Sequence, residues 1–160
     1  MTITPVRRDQ FDTWRELREL VFTDLELAFH DEEMEWLFAS KDAGCFLMFA
    51  EDGEVIGLLE LTLRNFVDGC IGGPVGYIDA IFIQPHHRGR GHGERLITFA
   101  FHWFGERGCK HVATDAEIDN VGAQEFHRRM GFTERWRIVG FTRSLPERFS
   151  ATQNDRIDQE

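Results

Sequence analysis

Apolar residues recur at helical spacing in two early segments. In DQFDTWRELRELVF (9–22), Phe11, Trp14, Leu17, Leu20 and Val21 share one face, which predicts a helix capped by Asp9 or Asp12. In DEEMEWLFAS (31–40), Met34, Leu37 and Phe38 do the same on a strongly acidic helix. The pattern then changes. GCFLMFAEDGEVIGLLELTLRN (44–65) is two apolar runs around Asp52-Gly53, a hairpin signal. FVDGCIGGPVG (66–76) is a glycine- and proline-rich loop, YIDAIFI (77–83) a strand, and ERLITFAFHWFGER (94–107) a helix stopped by Gly108. HVATDAE (111–117) is a further strand. DNVGAQEFHRRMGF (119–132) is a helix with Ala123, Phe126 and Met130 on one face and Gly131 as its stop. ERWRIVGFTRSL (134–145) alternates like one or two last strands. The order predicts an α/β (α+β) domain over 1–146, built on a mixed sheet with flanking helices, and a polar tail over 147–160.

Composition narrows the classes. A chain of 160 residues with 42% hydrophobic content is one ordinary globular domain. No apolar run is long enough for a membrane helix, and MTITPVRRDQF has no apolar core of a signal peptide. Cys45, Cys70 and Cys109 are odd in number and lack ligand spacing, which suits reduced thiols in a cytoplasm. The charge of −10 is uneven: residues 1–60 hold 5 Lys/Arg against 15 Asp/Glu, and residues 61–160 hold 13 of each. That argues against a nucleic-acid partner and suits a cationic one, or else is simply a solvated acidic surface.

Between the strand 77–83 and the helix 94–107 lies HHRGRGHGERL (86–96), with Gly89, Gly91 and Gly93 at alternate positions. Glycines there let the backbone take positive φ and let another molecule approach, and a helix start presents unbonded N–H groups to an anion. Arg88 and Arg90 add positive charge. No Gly-Lys-Ser/Thr follows, and the Rossmann order is missing. By itself the stretch is either a phosphate cradle or a tight strand–helix turn.

Arg88-x-x-Gly91-x-Gly93 fits the (Gln/Arg)-x-x-Gly-x-(Gly/Ala) loop that closes over the pyrophosphate of acetyl-CoA in the GNAT superfamily of N-acetyltransferases. Asn120-x-x-Ala123-x-x-Phe126-His127-x-x-Met130-Gly131-Phe132 resembles that superfamily's second motif. The resemblance covers about residues 3–145. Residues 68–96, with ATD (113–115), look most like the aminoglycoside 6'-N-acetyltransferases. It implies that strands 77–83 and 111–117 run parallel and splay apart around the pantetheine arm. Ile81, Phe82 and Ile83 would pair with that arm. The N–H groups from Arg88 through Gly89, Arg90, Gly91, His92 and Gly93 to Glu94, the first residue of the expected helix, would hold the pyrophosphate. Asn120 would steady the pantetheine or the amine near the thioester.

Asp79 stands in an otherwise apolar strand, and a buried carboxylate is costly unless bonded or used. The resemblance makes it the acid that binds the amine and accepts its proton, with Asp115 as a second substrate-binding acid; a tie to a local backbone N–H is the other reading. His127 replaces the Tyr that in most GNAT enzymes protonates the leaving thiolate, so it is either that general acid or a core or surface residue of helix 120–130. Phe22, Phe66 and Trp136 fall on the acceptor side, where the aminoglycoside enzymes carry other residue types, as does Leu25. These departures leave the acceptor open: an aminoglycoside, another amine such as a polyamine or a protein N-terminus, or a non-catalytic module that only binds acyl-CoA or drug. His86, His87 and His92 resemble a metal cluster, but they lie in the loop assigned to phosphate, so no metal is expected. Cys70 has no partner placed to make it a nucleophile. A homodimer through 134–145 is expected from the family.

Overall fold

A computed structural model gives the fold, and the structure describes residues 1–149. Five strands form one sheet in chain order: β1 (Thr2–Pro5), β2 (Ala43–Phe49), β3 (Val55–Arg64), β4 (Val75–Ile83) and β5 (Val112–Thr114). Neighbours are antiparallel except β4 and β5, which are parallel. The helices are α1 (Phe11–Val21), α2 (Leu27–Ala39), α3 (His92–Gly105) and α4 (Val121–Arg129). A mixed sheet flanked by helices is the class the sequence predicts. Two apolar layers cover it. Leu58 and Phe82 pack with Trp14, Leu17, Met34 and Leu37 of α1 and α2. Leu59, Leu61 and Ile83 pack with Leu96, Ala100 and Phe104 of α3. Alternate β3 residues thus go to opposite layers, as a pleated strand requires.

Several boundaries differ from the pattern, each for a local reason. β1, four residues at the sheet edge, is too short to show alternation and exists because it pairs with β2. Gln10 holds the N-cap position of α1, and neither aspartate caps it: Asp9 is bonded to Arg7 and Asp12 to Arg15. α2 starts four residues earlier than Asp31, at Leu27. β4 starts at Val75 instead of 77, and α3 at His92 instead of 94. Phe38, counted as a core residue, is 38% exposed and rests on Phe11 and Arg8.

Two differences matter for function. β5 is three residues long, where seven were expected, and stops at Thr114. Residues 133–146 hold no strand, although 134–145 alternates. A strand is defined by a partner, and this run finds none within the described part of the chain; Ile138, Val139 and Phe141 stand 77–90% exposed. Of the expected tail, Glu147–Phe149 form a 3-10 turn, and 150–160 lie outside the described residues. Among the described residues no helix is long and apolar enough to cross a membrane.

Candidate active site

Asp79 occupies a β-bulge. On β3, Leu61 pairs with Ile78 and Glu60 with Ala80, so Asp79 is an extra residue in β4. The bulge changes which backbone groups face which neighbour. Before it, the Gly76 N–H donates to the His111 carbonyl on the β5 side. Beyond it, the Gln84 N–H donates to Ile56 on the β3 side. By alternation, Ala80 and Phe82 spend their backbone on β3, while Ile81 and Ile83 turn theirs to the opposite edge. There β5 has already ended: the last parallel pair is Ile78 with Thr114, sealed by the Thr114 hydroxyl donating to the Ile78 carbonyl at 3.0 Å. The strands therefore part, and an open backbone edge remains at Ile81 and at the Ile83 N–H, the Ile83 carbonyl being taken by Arg88. Phe82, expected to share that edge, instead places its side chain in the core under α1 and α2.

The glycine loop stands at the far end of this opening. Gly89 and Gly91 have φ of +73° and +80°, and an added Cβ at either meets nothing within 4 Å. Both are glycine because of backbone conformation. Gly93 differs: a Cβ there would come 2.8 Å from the Phe126 ring, so it is glycine because α4 packs closely against α3. The Arg95 N–H is spent on the Gly91 carbonyl, and the N–H groups of His92, Gly93 and Glu94 come before any helical acceptor. The expected cradle is shorter by one residue, because the Arg88 N–H bonds the Pro85 carbonyl and its Nε donates to the Ile83 carbonyl at 2.8 Å. Arg88 thus braces the loop through its Nε, and Arg90, like Arg88, is exposed on it. The Glu94 side chain is exposed on the first turn of α3, whereas the His92 ring is buried. The Asn120 side chain accepts from the Ala123 N–H at 3.0 Å, capping α4, which leaves its amide nitrogen and one oxygen lone pair for a ligand.

At the near end an open cleft of about 1110 Å³ is bounded by β5, α4, the loop 66–70 and the segment 133–138. Asp115, His127, Phe66 and Trp136 line it, together with Arg64 and Tyr77. Asp79 adjoins it through Arg64. Its carboxylate accepts from the Thr62 hydroxyl at 2.7 Å and the Arg64 guanidinium at 2.8 Å, so it is tied to side chains and not to a backbone N–H. Burial pushes the Asp79 carboxyl up, against the pull of those two donors. Arg64 also lies 3.2 Å from the centroid of the Tyr77 ring. Burial, with Asp115 beside it, raises the Tyr77 hydroxyl to about 12, so it stays protonated and serves as a donor. Asp115 itself is exposed to the cleft. His127 is buried against Phe126 and Phe132, and its Nδ1 has no partner. Burial lowers its pKa, with Asp115 pulling the other way, so the ring is neutral at pH 7. Glu134 is bound to Arg128 and Arg137, which hold it down at about 2.

Residues 11–132 match the Acetyltransferase (GNAT) family. The chain belongs to that family. GNAT relatives of known activity include the aminoglycoside N(6')-acetyltransferases type 1 of Acinetobacter haemolyticus and Stenotrophomonas maltophilia. The first is 35% identical over 146 residues, 91% of this chain and 99% of the relative. The second is 33% identical over 133 residues, 82% and 86%. Among solved GNAT structures, the apo aminoglycoside 6'-N-acetyltransferase AAC(6')-IG from A. haemolyticus superposes with TM-score 0.82 at 33% identity, covering 91% of this chain and 100% of that one. AAC(6')-Iy in complex with the bisubstrate analogue CoA-S-monomethyl-acetylneamine gives 0.80 at 26% identity, covering 90% and 98%.

Of the residues singled out in the sequence, Asp115, His127, Phe66 and Trp136 come together at the cleft, with Asp79 behind Arg64. Phe22 does not: its ring faces the Arg18 guanidinium and the His30 ring instead. The sequence reading missed Thr62, Arg64 and Tyr77. The signal was present in LLELTLR, where Glu60, Thr62 and Arg64 put a polar residue at every second position of an otherwise apolar strand. Such a stripe on a covered face needs partners. Glu60 finds Trp14 Nε1 at 2.6 Å and Arg18 Nη1 at 2.5 Å, and the other two find Asp79.

Proposed function

We propose that this chain transfers the acetyl group of acetyl-CoA to the 6'-amine of an aminoglycoside antibiotic, by direct attack in a ternary complex. The observation that carries this is the parting of β4 from β5 at the Asp79 bulge. It leaves a strand edge for a pseudo-peptide arm, free N–H groups for a diphosphate at one end and two acids at the other. The relatives named for aminoglycoside 6'-acetylation, and the neighbour holding a joined CoA–neamine analogue, supply the substrate class.

In this reading acetyl-CoA lies along Ile81 and Ile83 with its pyrophosphate over Gly89–Glu94. The protonated 6'-amine enters between Asp79 and Asp115 and competes with Arg64 for the Asp79 carboxylate. Asp79 takes the ammonium proton through a water, and the freed lone pair attacks the thioester carbon. A backbone N–H near Ile81 steadies the oxyanion. His127 starts neutral, so it first accepts the second proton from the tetrahedral nitrogen. It then returns that proton to the thiolate as the C–S bond breaks. Holding both reactants in register supplies much of the rate, and no metal takes part in these steps. Thiol release from acetyl-CoA with kanamycin or tobramycin tests the proposal. Release with these drugs supports it; intact CoA binding with no turnover of any 6'-amino aminoglycoside rejects it. The apolar cleft walls Phe66 (91% exposed) and Trp136 favour a second reading, in which a less polar amine is the acceptor, and the same assay across polyamines separates the two.

Residues 1–146 are read as one catalytic domain working in the cytoplasm, where free thiols persist. The exposed Ile138, Val139 and Phe141, on backbone that pairs with no strand among the described residues, support a homodimer in which 134–145 pairs with a second copy. Light scattering measures this directly: a monomer across the micromolar range rejects it.

A further inference from the structure

A cluster outside the cleft is not accounted for by the transfer reaction. Glu54 ends the turn before β3, and His86 and His87 sit on the 3-10 turn Pro85–His87 that leads into the glycine loop. His86 Nε2 lies 3.1 Å from Glu54 Oε1, and His87 Nε2 lies 3.0 Å from Glu54 Oε2. The two rings are 4.4 Å apart, and the three ligand atoms lie within 4.8 Å of one another. The two histidines hold the Glu54 carboxyl below the usual carboxylate range, so it is an anion. The sequence showed only a His-His pair in a loop; Glu54, 32 residues earlier, is what the tertiary structure adds.

We propose that Glu54, His86 and His87 form a binding site for a divalent transition-metal ion, zinc fitting best, which ties the β2–β3 turn to the segment feeding the glycine loop. Two imidazoles and one carboxylate are the donor set of open zinc sites that complete a tetrahedron with water. Metal–ligand bonds of about 2.0–2.2 Å put tetrahedral ligand atoms about 3.4 Å apart. The two imidazole–carboxylate spacings, 3.1 and 3.0 Å, are already close to that value. His86 and Glu54 are exposed, which gives the ion an entrance and leaves room for the water. Binding at Nε2 moves each imidazole proton to Nδ1. On the inner side, His87 Nδ1 and both nitrogens of His92, whose ring centroid is 6.4 Å away, are buried with no partner among the described residues. The ion sits beside the cofactor loop and outside the reaction, so it acts on the order of that loop and not on the acyl carbon.

The test is calorimetric titration of the chelator-treated, untagged chain with Zn²⁺, repeated with Co²⁺ by visible absorption. Wild type is expected to bind one ion per chain, with the intense visible bands of tetrahedral cobalt. The double variant His86→Ala/His87→Ala is expected to lose that binding, and Glu54→Gln to weaken it by about 100-fold. Glu54 and His86 lie at the surface and His87 is mostly buried, so circular dichroism of both variants, with Glu54→Gln leaving the histidines in place, separates lost binding from lost folding. No saturable one-to-one binding, or binding unchanged in the double variant, overturns the site. Hydrogen exchange of residues 84–93 reads the tether: slowing with Zn²⁺ in wild type alone supports it, and unchanged exchange in the loaded chain overturns it.

Discussion

The Arg64 guanidinium donates to Asp79 at 2.8 Å while lying over the Tyr77 ring, so the acid proposed to receive a cationic amine already holds a cation. Arg64 is therefore both a support and a competitor. Its pair with Asp79 is partly exposed, which keeps the interaction modest. Arg64→Gln is expected to lower KM for an aminoglycoside by about 2- to 10-fold with KM for acetyl-CoA unchanged. Initial rates in both substrates check this, and a raised amine KM would make Arg64 a substrate contact.

Asp115 faces the cleft without a guanidinium on it. Losing one charge-assisted contact costs about 1.5–3 kcal/mol, so Asp115→Asn should raise amine KM by about 10- to 100-fold. The acetyl-CoA KM should stay within about twofold of wild type, because the proposed cofactor path runs beyond Thr114 on the other side of the bulge. Equal effects on both substrates would remove Asp115 from the acceptor site.

His127 is buried and has a lowered pKa. The unfolded chain binds its proton near the ordinary histidine value of about 6.5, whereas the folded chain resists it. Stability from this group is thus complete above pH ~6.5 and falls as pH drops from there towards the lower folded value. His92, lowered by burial and by nearby Arg95, His87 and Arg90, acts in the same direction. His127→Gln should flatten the dependence of urea-unfolding stability on pH between about 6.5 and 5. It should also lower kcat while leaving both KM values near wild type, since a relay acts after binding.

The loop glycines separate two kinds of requirement. Gly91→Ala forces an L residue to φ of +80°, at a cost of about 1–2 kcal/mol, and disturbs the free N–H groups around it. Weaker CoA binding is expected. Gly93→Ala drives a methyl into Phe126, and overpacking of this kind costs about 1–3 kcal/mol. Pairing Gly93→Ala with Phe126→Leu should restore part of the lost stability, and chemical denaturation of the four proteins measures the coupling.

Glu60 is fully buried against Arg18 and Trp14, in register with Ala80 beside the bulge. Arg18 is also buried and continues to Glu33 and to His30 Nδ1. Removing Glu60 leaves the buried Arg18 with only the part-exposed Glu33 as counter-charge, which falls short of the full cost of about 3–5 kcal/mol for an unpaired buried charge. Glu60→Gln should therefore lower the urea midpoint markedly. Trp14 fluorescence should shift, because the indole N–H loses its carboxylate.

Repeating apolar positions were enough to place α1, the hairpin, β4 and α3, because burial on one face leaves a period in the sequence whatever the neighbours are. The glycine loop and the Asn120–Phe132 motif were legible too, since backbone conformation and close packing restrict residue type locally. Other features depended on partners distant in the chain. The Asp79 bulge arises from how β4 registers with β3, and the early end of β5 follows from the divergence that begins there. Arg64 reaches Asp79 from 15 residues away, and Glu54 reaches His86 from 32. The alternation of 134–145 promised strands, yet alternation says only which face could be buried, and a strand forms only where a neighbour offers its hydrogen bonds. The sequence by itself determined most element types and the conformation of the glycine loop. Tertiary structure decided where the sheet opens and which charges meet, because those depend on register and distance, which no local pattern encodes.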